Sequence, residues 1–326
     1  MRKRVRPRAK IRMETMRKIQ SAVITGATGA IGNALCRLLA EKHVNLYAIV
    51  RLGSARNAAL RAIPGVEQIE LDVSQLAQLP KKMSGRSADA FFHLAWEKTV
   101  GAGRNDMDAQ IRNVQHTLDA VRAAAALGCS VFLGAGSQAE YGRTDRPLAS
   151  CTPCFPETGY GMAKLCAGQM SRVECEKLGL DHVWARILSV YGPYDGMTSM
   201  VMGTIEKLLK REKPPLTAGA QLWDFLYADD AANALYRMAC SGKPGAVYPV
   251  GSGCTRPLRE YIQTIRDLID PALPLGFGEI PYGEKQLMHL EADLSALRAD
   301  TGFEPRTDFK TGIQNTIEYV RRKNDG

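Results

Sequence analysis

The chain has 326 residues, 45% apolar and 24% charged, with 30 Gly and 16 Pro, which is the make-up of a folded globular protein with room for one large or two small domains. This composition excludes wholesale disorder, and no apolar run approaches the roughly 18 residues that a membrane-spanning helix needs. A net charge of +9 suggests nucleic acid or an anionic surface until the charge is located.

Residues 1–20 hold nine Lys or Arg and one acid, Glu14, whereas the other 306 residues hold 34 basic and 33 acidic groups. The body is therefore nearly neutral, and the basicity is a tail. We read residues 1–19 as a disordered tail, with no nucleic-acid and no membrane partner. It has neither the apolar stretch of a secretory signal nor the Ser content of a transit peptide, and Met13 and Met16 stand just before the first apolar run. The eight cysteines then read as reduced thiols of a cytoplasmic protein. Cys151-Thr152-Pro153-Cys154 has redox-motif spacing, but no second such pair or His pair accompanies it, so no metal site is expected.

Along the chain, Ser21–Thr25 reads as a strand, 26–32 as a glycine turn and 33–42 as a helix. Residues 46–50, 68–71, 90–94 and 130–133 are further strands, 111–127 is an Ala-rich helix, another helix lies within 156–178, and 183–188 is a buried strand. This alternation predicts an α/β fold, a Rossmann-type doubly wound parallel sheet covered on both faces. After Tyr191-Gly192-Pro193 the pattern loosens: 200–210 reads as helix, 222–227 as strand, 229–240 as an acid-capped helix, and 309–322 as a closing helix. We expect a cofactor domain over 20–190 plus 222–250 and a smaller, discontinuous substrate lobe over 191–221 plus 251–326, with the substrate between them.

Thr25-Gly26-Ala27-Thr28-Gly29-Ala30-Ile31-Gly32 spaces its glycines three and three between a strand and a helix, as a dinucleotide site requires. Gly26 permits the turn, Gly29 admits the pyrophosphate, Gly32 lets helix and strand pack, and the helix N-terminus faces the phosphates. An NAD site wants a carboxylate at the end of the second strand, but this chain has Val50-Arg51, with Arg56 nearby. Arg51 suits a 2′-phosphate, so NADP(H) is favoured over NAD(H). Asp72-Val73, after the third strand, is expected near the adenine.

Tyr160 and Lys164 stand at i and i+4, one turn apart on a helix. A nearby ammonium stabilises phenolate, which makes a tyrosine usable as an acid or base. Ser137 follows a strand and falls at a sheet carboxyl end, where ligands bind in open α/β sheets.

With these motifs together, the chain resembles the extended short-chain dehydrogenase/reductase family, the nucleotide-sugar epimerase/dehydratase group. The matches run in order: residues 25–32, Asp72-Val73, His93-Leu94-Ala95, Asn113, Ser137 with Tyr141-Gly142, Tyr160 with Lys164, Arg186 with Tyr191-Gly192-Pro193, and Trp223-Asp224-Phe225 with Asp229-Asp230. The resemblance implies that Tyr160 exchanges a proton with a sugar oxygen held by Ser137, while Lys164 binds the nicotinamide ribose. It implies cofactor contacts from Thr28, Ala30, Ile31, Leu94, Ala95 and Asn113, and substrate contacts from Trp96, Gln138, Tyr191 and Trp223. His93 is expected to support the cofactor loop. The family also implies a homodimer through helices over 106–127 and 160–178.

Dehydratases of the group carry an Asp-Glu pair directly after the Ser or Thr, where this chain has Gln138-Ala139. Neither residue serves as acid or base. Glu140 comes one position late and is expected to point elsewhere. Two enzyme readings remain: an NADPH-dependent 4-ketoreductase acting on a nucleotide-linked 4-keto-6-deoxyhexose, favoured through Arg51, and an NAD-dependent 4-epimerase. A non-catalytic NADP-sensing member of the fold is the third reading; such proteins commonly lose the Tyr or Lys that are present here. Cys154 and His182 are candidates by residue type for an additional acid–base pair, with His182 read as structural. Trp223 stands where the family often has Arg, and Arg256, Lys285 and Arg298 are possible replacements as diphosphate contacts.

Overall fold

The computed structural model describes residues 16–324. Strands β1 (Ser21–Thr25), β2 (Asn45–Val50), β3 (Val66–Glu70), β4 (Ala90–His93), β5 (Val131–Ser137) and β6 (Asp181–Ile187) join the strand Ala246–Val250 in one sheet. Every pairing in it is parallel, and the order is β3-β2-β1-β4-β5-β6 with Ala246–Val250 at the edge. The expected doubly wound α/β sheet is thus present.

Ten helices accompany the strands among the described residues. They are α1 (Ala30–Glu41), α2 (Ala58–Arg61), α3 (Leu79–Lys82), α4 (Met107–Ala126), α5 (Gly159–Leu178), α6 (Met200–Leu209), α7 (Ala228–Ser241), α8 (Leu258–Ile269), α9 (Ser295–Thr301) and α10 (Phe309–Asn324). Helix α1 packs with α7, and α4 packs with α5. Along β1 the two covers meet neighbouring residues: Ile24 joins Leu35, Leu39 and Leu235, whereas Val23 joins Phe91, Val121 and Phe132. Both faces are buried, so the strands read as continuous apolar runs rather than alternating ones. The chain enters the sheet at β1, winds outward to β3, then crosses back to β4. Ligands bind in this type of sheet at the crevice between such strands, beyond their carboxyl ends.

A separate apolar core is closed by Val201, Ile205, Tyr261, Ile265, Phe309 and Ile313 of α6, α8 and α10. The expected strand over 222–227 is two short strands, Leu222–Trp223 and Phe225–Tyr227, which pair with different partners, Arg256–Pro257 and Ser189–Tyr191. Asp224 between them is fully buried and accepts from the backbone amides of Ser252, Gly253 and Ala292. Asp230 accepts from the amides of Arg306 and Thr307. These two carboxylates tie the segment that leads into α7 to the C-terminal chain.

Most of the expected disordered tail, residues 1–15, lies outside the described residues. Its last part is docked: Arg17 pairs with Asp181 at 2.7 Å and donates to the carbonyls of Ala239 and Gly242. No described helix is long and apolar enough to cross a membrane.

Candidate active site

The glycine turn sits where β1 meets α1. Gly26 has φ +74, and a Cβ there would stand 2.8 Å from the Ala95 nitrogen, so only glycine fits. Gly29 differs. A Cβ on it meets nothing nearer than the Gly26 carbonyl oxygen at 3.7 Å, so the space beside it is open to the cleft. Gly29 also caps α1 without any side-chain bond, which leaves first-turn amides free for an anion. Open room beside an uncapped helix start is what a dinucleotide pyrophosphate needs, and this donor set fits one.

The loop after β4 is locked to β1 by Thr25. Its Oγ accepts from the amides of Leu94 and Ala95 at 3.2 Å and lies 3.0 Å from His93 Nδ1. With both amides donating, the hydroxyl hydrogen goes to Nδ1, which places the imidazole hydrogen on Nε2. Burial and the neighbouring Lys164 charge push the His93 pKa down to about 3, so His93 is a neutral support for this loop.

Strand β5 delivers Ser137. Its hydroxyl accepts from the Ala139 amide, and its own amide donates to Glu140 Oε1 at 2.8 Å, a reciprocal cap on the turn that follows. Helix α5 delivers Tyr160 and Lys164. Thr158 caps it, and Gly161 lets it approach the Ser137 loop: a Cβ there would lie 2.3 Å from the Ala139 carbonyl oxygen. The result is that Tyr160 and Ser137 line one hollow together. Burial raises the Tyr160 pKa above its ordinary value, while the Ser137 side chain and the Arg104 charge oppose that rise. Lys164 Nζ donates to the Ala135 carbonyl at 2.5 Å and lies 3.7 Å above the Trp96 ring, and burial lowers its pKa to about 7.

Two adjoining hollows run across the sheet ends. One is lined by Gly26, Gly29, Ala30, Ile31, Gly32, Leu94, Trp96, Ser137, Tyr160 and Lys164. The other, of about 430 Å³, is lined by Gly26, Thr28, Arg51, Ser54, Asn57, Val73, Ala95 and Trp96. Gln138 lines a third hollow beside these, with Arg104 and Lys285.

Other expected contacts lie elsewhere. Asp72 caps the turn after β3 by accepting from Ser74. Asn113 is buried and holds both backbone groups of Glu97. Tyr191 is 1% exposed, inside the C-terminal core, and donates to the Phe309 carbonyl. Trp223 is half-buried and donates to Ser189 Oγ. Arg256 stacks on Tyr261, Arg298 pairs with Glu304, and Arg56 donates to the Tyr194 carbonyl. His182 is stacked between Phe132 and Trp184 and bonded to Ser171, and Cys154 packs against the core, so neither faces the hollow at Tyr160.

Two further side chains surround the Ser137–Tyr160 pair. Glu140 is wholly buried and accepts from Trp184 Nε1 and Arg186 Nε as well as from Ser137. Arg104 lies over the Tyr160 ring, its guanidinium carbon 4.8 Å from the centroid.

Residues 22–251 match the sequence model of the NAD dependent epimerase/dehydratase family. The chain belongs to this family. Among its relatives is a dTDP-glucose 4,6-dehydratase from Neisseria gonorrhoeae, 25% identical over 94% of this chain and 98% of that one. A solved UDP-N-acetylglucosamine 4-epimerase from Methanobrevibacter ruminantium superposes with a TM-score of 0.84 at 23% identity, over 94% of this chain and 100% of the other. A dTDP-glucose 4,6-dehydratase from Bacillus anthracis, solved with NAD, gives 0.81 at 16% identity over 94% and 98%. These superpositions show the fold. The family match agrees with the resemblance read from the motifs and with the reading of the chain as an enzyme of this type.

Proposed function

We propose that this epimerase/dehydratase family member is an NADPH-dependent reductase of a nucleotide-linked 4-keto-6-deoxyhexose. The observation that carries this reading is the set of groups beside the Ser137–Tyr160 pair. The dehydratases of the group this chain resembles carry an acid–base pair at the two positions after the Ser or Thr, and Gln138 and Ala139 supply neither acid nor base. The carboxylate one position later, Glu140, is turned into the protein and bound to Arg186. Of the titratable groups that line the hollow at this pair, Tyr160, Lys164 and Asp195, we take Tyr160 as the proton-transfer group, with Ser137 to hold the substrate oxygen. That set supports simple hydride transfer at one carbon and opposes dehydration, although dehydratases stand among the relatives.

The bound dinucleotide would supply the hydride. Gly26, Gly29 and the start of α1 would hold its pyrophosphate, and Lys164 and Tyr160 line the hollow at its reactive end. Arg51 lines the other hollow beside Ser54 and Asn57, with no carboxylate at the end of β2 to repel a 2′-phosphate. This supports NADP(H). Fluorescence titration tests it: NADPH is expected to bind at least about tenfold more tightly than NADH, and the reverse order would end the proposal.

A 4-epimerase with NAD is the second reading, favoured by the epimerases among the structural neighbours. Arg51 is the residue against it. The exposed apolar side chains Met107 and Ile111 on α4, and Met162, Met170 and Val173 on α5, support homodimer formation through this helix pair.

A further inference from the structure

We propose that Arg104 is a positioning residue of this site, acting through Tyr160 by holding a fixed positive charge against its ring where a tyrosinate forms. The inference rests on Tyr160 being the proton donor, as proposed above. In the proposed reduction, the carbonyl carbon would take a hydride supplied by the reduced nicotinamide dinucleotide. The carbonyl oxygen takes the Tyr160 proton, and the phenol is left as tyrosinate until water returns a proton. Whatever stabilises that anion lowers the barrier.

The motif places this task on Lys164, but the geometry divides it. Lys164 Nζ is committed to the Ala135 carbonyl and stands over Trp96 at 3.7 Å, while its distance to the Tyr160 ring centroid is 5.8 Å. The Arg104 guanidinium is nearer, at 4.8 Å. Burial also brings the Lys164 pKa to about 7, so the charge on this ammonium changes across the neutral range. A guanidinium keeps its charge throughout.

Arg104 is held in place by the backbone around it. The turn Gly101–Asn105 is pinned to the start of α5 by Asn105, whose Oδ1 accepts from the Gly159 amide at 2.9 Å. A Cβ at Gly159 would sit 3.2 Å from the Arg104 carbonyl oxygen, so the turn and the helix start are in close contact. Arg104 Nε is buried with no hydrogen-bond partner. The groups that act on Tyr160 are Ser137 from the end of β5, Glu140 from the turn after it, Arg104 from this turn and Lys164 from α5 itself. Of the two cations, Arg104 has the permanent charge.

The test is titration of Tyr160 in the apo protein, followed by the NMR signal of 13Cζ-labelled tyrosine and assigned with Tyr160→Phe. Arg104→Leu and Arg104→Gln should both raise the midpoint by about one pH unit or more, and Arg104→Lys should restore most of the shift. Lys164→Met should move it less than Arg104→Leu does. A midpoint unchanged in Arg104→Gln, or a larger effect from Lys164→Met, overturns the proposal. The measurement uses neither substrate nor cofactor, so its outcome is independent of whether the reduction itself is the right reaction.

Discussion

Glu140 and Arg186 form a buried ion pair directly behind Ser137, with Oε2 2.7 Å from Nε and side chains only 1% and 5% exposed. The same carboxylate accepts from the Ser137 amide and from Trp184, so one acidic side chain joins β6 to the turn that starts at Ser137. Breaking such a pair strands the other charge away from water. Glu140→Leu should therefore cost about 3–5 kcal/mol, read from urea unfolding. Adding Arg186→Met should recover part of that loss, because no buried charge is then left alone. A double variant as unstable as the sum of the two singles would contradict this account.

Gly29 separates cofactor binding from folding. Its φ of −84 suits any residue, and a Cβ meets only one atom, at 3.7 Å. Gly29→Val should leave the unfolding temperature within about 2 °C of wild type while weakening dinucleotide binding by about 100-fold, since the added methyls occupy the open space beside the helix start. Calorimetry and fluorescence titration of the same sample check both halves. Unchanged binding would mean that the pyrophosphate lies elsewhere.

Much of this site was legible in the sequence because backbone geometry demanded particular residues. A tight turn with no room for Cβ required Gly26, and a helical i, i+4 pair brought Tyr160 and Lys164 together. What escaped was decided by tertiary contact. Ala246–Val250 is short and contains Pro249, which reads as a break; it is tolerated because the strand lies at the sheet edge. Tyr191 and Trp223 belong to matching motifs, yet packing turns the first into the C-terminal core and the second onto Ser189. Arg104 lies in a short turn with no periodicity, and only the close approach of α5 puts it over Tyr160.

Lys164 makes the stability of the apo protein depend on pH in a definite direction. Burial lowers its pKa in the folded state from 10.5 to about 7. Between those values the unfolded chain binds the proton and the folded chain does not, so stability rises with pH. The cost of burying the ammonium is in full force below about pH 7 and is relieved above it. Lys164→Met removes this contribution. The urea midpoint of wild type relative to Lys164→Met should climb between pH 7 and pH 10, and a constant difference would show that Lys164 titrates normally.

The apolar stripe on α4 and α5 bears on assembly. Ile111 is 68% exposed and Val173 56%, which leaves large side chains in water unless a second copy covers them. Light scattering should give twice the chain mass, and Ile111→Glu with Val173→Glu should halve it. A monomeric wild type would remove the proposed homodimer.

The central claim is that this site reduces a ketone and consumes its cofactor. The direct measurement is absorbance at 340 nm as enzyme meets NADPH and a nucleotide-linked 4-keto-6-deoxyhexose, with Tyr160→Phe alongside. We predict stoichiometric NADPH oxidation by wild type and a turnover about 100-fold to 10,000-fold lower in Tyr160→Phe, which should still bind NADPH. Interconversion of nucleotide-hexose 4-epimers with no net change in cofactor, and no oxidation on the keto sugar, would contradict it.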